Sequence, residues 1–417
     1  MQTEIASLGA LTDDLHMLCS TAVAYGNSKE FQTFHTGNQS ELVWTEQGFA
    51  DQIVPISDNS IYDLASLTKL FTLISLLMLL EAKQLKMTDC VGRIDNRFDF
   101  LQDTSIYDVI TYQALLKSPA RIDRQASVEE GEKQVFSSYQ STVYQERIYS
   151  DMNALILQYV IEKASGLSLI SFLQRHILTP LGMSNTWAKV PQSRLADCVN
   201  YNYEHSIVNG HHAVRCDVPP GTPHDPKARL LSNGRHHVCG HAGLFSTMAD
   251  MVAFAQGLLN GKLISSSTLS SIGKNRTGYL RQNSQYRQFM GLLCFSKSAV
   301  PRLSEVPLWM GQNAFALSGY TGNHIAIDPD LGVFDILLGN RCHNRVSLIQ
   351  PPEEVDARVL DENGAGQIQW PDGRKVFSSF KYVYLKDKLI HNPVYERLLA
   401  NRWLCGGRKV YAKSSIW

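Results

Sequence analysis

Tyr62-Asp-Leu-Ala-Ser-Leu-Thr-Lys-Leu-Phe-Thr-Leu-Ile-Ser-Leu-Leu-Met-Leu-Leu80 is the stretch from which the rest of the chain is read. Ser66 and Thr68 open it with helix-start chemistry, and Leu70, Leu73, Ile74, Leu77, Leu80 and Leu85 recur at helical spacing. Thr72 and Ser75 interrupt the apolar run from Leu70 to Leu80, whose length suits a buried core helix better than a membrane span. Ser66 and Lys69 stand three apart, on one helix face one turn from each other. A serine hydroxyl is a weak nucleophile until a neighbour accepts its proton. A lysine can accept it if burial or nearby charge lowers its pKa from about 10.4 toward neutrality. Free N–H groups at the helix start also favour developing negative charge. Alone, Ser-x-x-Lys is a weak pattern, and Ser66 as a plain N-cap is its ordinary reading.

The flanking sequence adds context. Residues 16–62 are strand-rich, whereas 105–117 and 149–177 read as helices, with Gly166 a break in the second. Residues 190–238 are loop-like, Asp250 to Leu259 is helical, and 314–316, 324–328 and 332–339 read as successive strands. Residues 350–378 are polar and turn-rich, and Pro393 to Leu404 reads as an amphipathic helix. Strands toward both ends with helices between them predict an α+β fold, its layer formed from both termini around a helical insertion. Tyr149-Ser-Asp151 falls at a helix start, where a tyrosine beside a lysine can relay a proton. Its plainer reading is an aromatic packed on the helix through Leu155 and Tyr159. Leu317-Ser-Gly-Tyr-Thr-Gly322 lies between two strands, where Gly319 would let a substrate backbone approach; the alternative is a hairpin turn.

Composition narrows the function classes. Lys plus Arg and Asp plus Glu both number 39 in 417 residues, so no net field steers the chain to nucleic acid or an anionic membrane. The expected partner is a small-molecule or peptide substrate, with no nucleic acid and no membrane span. Glu4, Asp13 and Asp14 make the start a poor signal peptide, and the eight cysteines include no CxxC pair. Both features favour a cytoplasmic location with reduced thiols.

Ser66-x-x-Lys69, then Tyr149-Ser-Asp151, then the glycine-containing strand at 317–319 resemble the three ordered motifs of serine β-lactamase-related and penicillin-binding proteins. The resemblance is strongest to the class C-like branch, which includes D-alanyl-D-alanine carboxypeptidases, esterases and some acyltransferases. Tyr62 to Lys69, Tyr149-Ser-Asp-Met-Asn153, Pro180-Leu-Gly-Met183, Gly240-His-Ala-Gly-Leu-Phe-Ser-Thr247 and Gly339-Asn-Arg341 carry it across about 50–345. It implies a β-lactamase/transpeptidase-like antiparallel sheet flanked by helices. An α/β sandwich domain of 1–75 and 240–417 and a mainly helical domain of 76–239 would hold the active site between them. It further implies a serine hydrolase, with no cofactor, that acts on an ester or amide through an acyl-enzyme. Ser66 would be acylated, Lys69 and Tyr149 would shuttle its proton, and the N–H groups of Ser66 and Tyr320 would form the oxyanion hole. Asp151, Ser318 and Gly319 would contact substrate.

Two positions depart from the pattern. Leu317 stands where relatives usually carry Lys or His to orient a substrate carboxylate. Leu116-Lys-Ser-Pro-Ala120 stands where a His-Thr-Ser-Gly turn is common. A neutral ester, amide or thioester therefore fits better than a penicillin. An acyltransferase or peptide-cyclising enzyme would share the acylation step, and a catalytically silent binding protein would keep only the pocket. His236, His237 and His241 near Cys239, with His211-His212 and His224-Asp225, lack the paired ligand spacing of a zinc site. They read as surface-loop or satisfied histidines. No G-x-S-x-G elbow supports a Ser-His-Asp triad, and Gly257-Leu-Leu-Asn-Gly-Lys262 is too short between its glycines for a P-loop.

Overall fold

In a computed structural model that describes residues 6–209, 211–232, 238–281, 285–350, 366–369 and 373–404, a short helical segment over 6–13 is followed by three strands. These are β1 (Ser20–Asn27), β2 (Phe31–Thr45) and β3 (Gly48–Pro55). Helix α1 (Thr68–Glu81) follows and then, after short helical turns, α2 (Asp151–Ser165). The hairpin β4 (Glu204–Val208) and β5 (His211–Arg215) leads to α3 (Pro226–Ser232) and α4 (Met248–Leu259). Then come β6 (Phe295–Ser296), β7 (Phe315–Ser318), β8 (His324–Asp328), β9 (Val333–Gly339) and β10 (Arg345–Gln350). The short strands β11 (Gln367–Gln369) and β12 (Lys375–Ser378) precede α5 (Asn392–Ala400).

A seven-stranded antiparallel sheet runs in the order β6-β7-β8-β9-β1-β2-β3, which pairs Thr21 with Gly339 and Asn27 with Val333. Strands from both ends of the chain thus share one sheet. Its central strands are buried on both faces, and side-chain alternation sorts them into two layers. Ala22, Ala24, Leu317, Ile325, Phe334, Ile336 and Leu338 pack in one cluster with α1, α2 and α4. Val23, Tyr25, Ala316, Ala326, Val333 and Leu337 pack with Val394 and Leu398 of α5.

Helix α1 is buried on every side from Thr68 to Leu77, as a helix apolar all round must be. Phe71 stacks on Phe254 of α4 at 4.3 Å, and each fully buried Leu, Ile or Phe contributes about 1.5–3 kcal/mol. The Ser150 hydroxyl accepts the Met152 N–H to start α2, and Gly166 ends it in the left-handed region at φ 71°.

A second, five-stranded mixed sheet runs β11-β12-β10-β4-β5, with β10 parallel to β4 and β12. It places strands inside 190–238, which the sequence reads as loop, and inside the turn-rich 350–378, of which 351–365 and 370–372 lie outside the described residues. The predicted helix 105–117 is confined to Ile106–Ile110. Among the described residues, no single helix is long and apolar enough to cross a membrane.

The segment 240–247 lies alongside α1, with the Thr72 hydroxyl donating to the Gly240 carbonyl at 2.7 Å. A side chain at Gly240 would meet the Ala154 carbonyl of α2 at 2.3 Å. Gly240→Ala is expected to lower stability by about 1–3 kcal/mol, read as a lower urea midpoint with an unchanged slope.

Candidate active site

Ser66 sits in a 3-10 turn, Ala65–Leu67, that feeds α1. Ala65 is held at φ 46°, in the left-handed region. The buried Asp63 carboxylate secures this turn by accepting the Ala65 N–H at 2.9 Å and the His224 N–H at 2.6 Å. The Asp63 carbonyl accepts from Asn323 Nδ2 at 2.7 Å and from the Thr321 hydroxyl at 3.2 Å. One residue thus joins the nucleophile turn, the 224 loop and the turn after β7.

Lys69, one turn into α1, is fully buried. Its ammonium donates to Ser66 Oγ at 2.9 Å, to the His241 carbonyl at 3.2 Å and to Asp151 Oδ1 at 2.8 Å. Three acceptors match its three protons. Burial pulls the Lys69 pKa down, but Asp151 and Tyr149 more than reverse this and leave it raised. The condition under which Lys69 could accept the Ser66 proton directly, a lowered pKa, is not met in the resting site, where the group is held as an ammonium by its acceptors.

Asp151 lines the cleft, and both of its oxygens are engaged by lysines. The second accepts from Lys227 Nζ of α3 at 2.7 Å. Lys227 also lies 3.4 Å from Asp225, whose Oδ1 is 2.9 Å from His241 Nε2. The result is a line of alternating charge, Lys69–Asp151–Lys227–Asp225. Asp151, Asp225 and His241 lie close enough to share a cation, and the Lys227 ammonium supplies that charge.

The Tyr149 ring stacks on Phe295 of β6 at 5.2 Å, and Lys69 Nζ lies 4.9 Å from its centroid. Gln288 Oε1 accepts the Tyr149 N–H at 3.0 Å and so fixes the backbone. Among the described residues no hydrogen bond of good geometry reaches the buried phenol oxygen, although Lys69 and Ser66 lie close enough to lower its pKa. Burial raises its pKa, Lys69 opposes the rise and Asp151 adds to it.

Strand parity decides the third motif. Leu317 points into the helix-facing core, so no cation stands there. Ser318 turns to the opposite layer, where its hydroxyl donates to Glu305 at 2.7 Å and Glu305 pairs with buried Lys386 at 3.1 Å. The expectation that Ser318 faces substrate is corrected accordingly. At Gly319 the vacant side-chain position faces the Leu64 carbonyl at 3.1 Å and Ala65 Cβ at 3.4 Å. That glycine brings the turn against the nucleophile segment. The N–H groups of Ser66 and Tyr320 donate to no described residue.

These groups open on a cleft of about 480 Å³ lined by Ser66, Tyr149, Asp151 and Tyr320. Glu204, Arg215, His224 and Asp225 complete its polar wall. His224 and His241, read as surface-loop or satisfied histidines, are buried and each hydrogen-bonds a carboxylate. His236 and His237 lie outside the described residues. The His224-Asp225 dipeptide was the available signal for this wall; Glu204, Arg215 and Lys227 carried none.

The family model described as Beta-lactamase matches residues 34–356. The chain belongs to the β-lactamase family. A Salmonella gallinarum protein, named provisionally as a D-alanyl-D-alanine carboxypeptidase, is 27% identical over 320 residues, or 69% of this chain and 71% of that one. Among solved structures, a simvastatin synthase mutant from Aspergillus terreus is similar with a TM-score of 0.61 at 14% identity, covering 96% of this chain and 94% of the other. A class C β-lactamase gives 0.58 at 15% identity, covering 86% and 94%. The antiparallel sheet flanked by helices is the β-lactamase/transpeptidase-like fold that the motifs implied.

Two outcomes follow from the charges. Asp151 raises both Lys69 and Tyr149, so Asp151→Asn should shift the pH dependence of Ser66 labelling by a fluorophosphonate downward, by about one unit or more. Glu204 is buried, yet His224 and Ser347 lower its pKa from 4.5 to about 2. Its ionised form stabilises the fold above pH 4.5, and that contribution should disappear as pH falls toward 2, read as a falling urea midpoint that Glu204→Gln flattens.

Proposed function

We propose that this chain is a serine hydrolase that acts on neutral esters or amides through an acyl-enzyme on Ser66. The observation that carries this is the Ser66 hydroxyl 2.9 Å from the Lys69 ammonium, with the buried Tyr149 phenol beside the same lysine. A proton must first leave the Lys69–Tyr149 pair, because the resting ammonium donates to Ser66 rather than accepting from it. The pair then takes the Ser66 proton as Oγ bonds the substrate carbonyl carbon. The Lys69 charge stabilises the transient anion. The leaving group departs, protonated by the pair if it is basic. Water next attacks the acyl carbon as one of its protons passes to a base and the bond to Oγ breaks. Oγ takes its proton back from the pair where the leaving group departed as an anion, and receives the water's proton through the pair where the pair had already protonated the leaving group.

The Ser66 and Tyr320 N–H groups would receive the carbonyl oxygen, each worth about 3 kcal/mol in the transition state. Gly319 supports this by pressing their two segments together. The choice of a neutral substrate rests on Leu317 and on the balance of charge in the wall: Asp151, Glu204 and Asp225 are matched by Lys69, Lys227 and Arg215. An acyltransferase would use the same acylation and differ only in the acceptor, which product analysis with an added alcohol or amine distinguishes.

Ser66→Ala should reduce hydrolysis of short activated esters by at least about 1000-fold. Tyr149→Phe should retain fluorophosphonate-accessible folding while lowering kcat by about 100-fold or more. Benzylpenicillin should leave Ser66 unmodified. Unchanged ester turnover by Ser66→Ala would remove the assignment.

A further inference from the structure

The cleft holds a second acid–base group that the acylation steps do not use. His224 is 3% exposed and lines the cleft with Ser66. Its Nε2 lies 2.9 Å from Glu204 Oε2, and the other oxygen of that carboxylate accepts from the Ser347 hydroxyl. Arg215 Nη1 stands 3.7 Å from the same carboxylate and helps keep it ionised. An ionised carboxylate can only accept, so the proton of the shared hydrogen bond belongs to His224 Nε2. In its neutral form the imidazole would carry its lone pair on Nδ1, which has no hydrogen-bond partner among the described residues.

The ring is held from several sides. It stacks on Tyr320 at 5.4 Å and 24°, next to the candidate oxyanion N–H. Its own N–H is tied to Asp63, the carboxylate that also fixes Ala65 beside the nucleophile. Its carbonyl accepts from Arg215 at 2.6 Å and from Arg229 at 3.1 Å. The position of the imidazole is therefore locked to the position of Ser66 through a single side chain. His241 is also bonded to a carboxylate, but it does not line the cleft, and its Nδ1 is buried. Among the described histidines, only His224 combines a carboxylate on one nitrogen with a place in the reaction cleft.

We propose that His224, oriented by Glu204, is the general base that activates water to hydrolyse the acyl-enzyme. This rests on the acyl-enzyme reading above. The water oxygen bonds the acyl carbon while one of its protons passes to His224 Nδ1. The bond from the acyl carbon to Ser66 Oγ breaks, and Oγ takes a proton from Lys69, whose ammonium already points at it from 2.9 Å. The imidazolium, paired with Glu204, returns its proton to solvent. For an ester whose leaving group departs as an anion, the proton that the pair took from Ser66 during acylation is the one it gives back. The Lys69–Tyr149 pair thus serves acylation as base and deacylation as acid, with the second base elsewhere in the cleft lining.

Stopped-flow hydrolysis of p-nitrophenyl acetate separates the two half-reactions. His224→Gln should retain a burst of one nitrophenolate per chain while the steady phase slows by about 100-fold. Acetyl mass should accumulate on Ser66, and hydroxylamine, which needs little base assistance, should restore turnover. Glu204→Gln should act in the same direction, and it keeps the side-chain volume should His224→Gln not fold. A merely structural role would lower burst and steady phase together, or leave both intact, and either result overturns the proposal. Loss of the burst in wild type itself would instead count against the acyl-enzyme reading.

Discussion

An ammonium withdrawn from water costs several kcal/mol unless acceptors replace its hydration, and the site is built around that requirement at Lys69. Its acceptors come from three parts of the chain: Ser66 on its own turn, Asp151 at the start of α2, and the His241 carbonyl beside α1. Satisfying one buried charge therefore fixes the relative placement of the helices that carry the first two motifs. Asp151 brings a further charge into the cleft wall, and Lys227 answers it from α3. The alternation ends at Asp225 and His241, close to where it began.

Asp63 is the counterpart to Lys69 in a second hydrogen-bond network. Through two carboxylate oxygens and a carbonyl it ties Ala65, His224, Thr321 and Asn323 to one point. The turn carrying Tyr320 and the loop carrying His224 are thereby referred to the nucleophile. The sheet gives them a rigid base, since β7 and β8 are buried in register from Phe315–Ile327 to Ser318–His324.

The parts legible in the sequence are those set by local spacing. Ser66 and Lys69 meet because three residues make about one helical turn, and α1 is buried because its apolar residues surround it. The capping chemistry of Ser150 and Gly166 bounded α2 in the same local way. What was not legible depended on distant partners. The raised pKa of Lys69 comes from Asp151 and Tyr149, some eighty positions away along the chain. The orientation of Ser318 required strand parity, where one residue decides between opposite faces. The second sheet escaped because β4 and β5 mix His, Arg and Glu with few apolar residues, and they pair with β10 far along the chain. Glu204 and Lys227 became site residues only when that sheet and α3 closed over the cleft.

The most direct test is the intact mass of the protein quenched during turnover of a short activated ester, followed by mapping of the modified peptide. One acyl group per chain, located on Ser66, is the predicted result. Acyl mass on a different residue, or hydrolysis without any covalent species in a quench fast enough to capture the first turnover, would contradict Ser66 as the nucleophile.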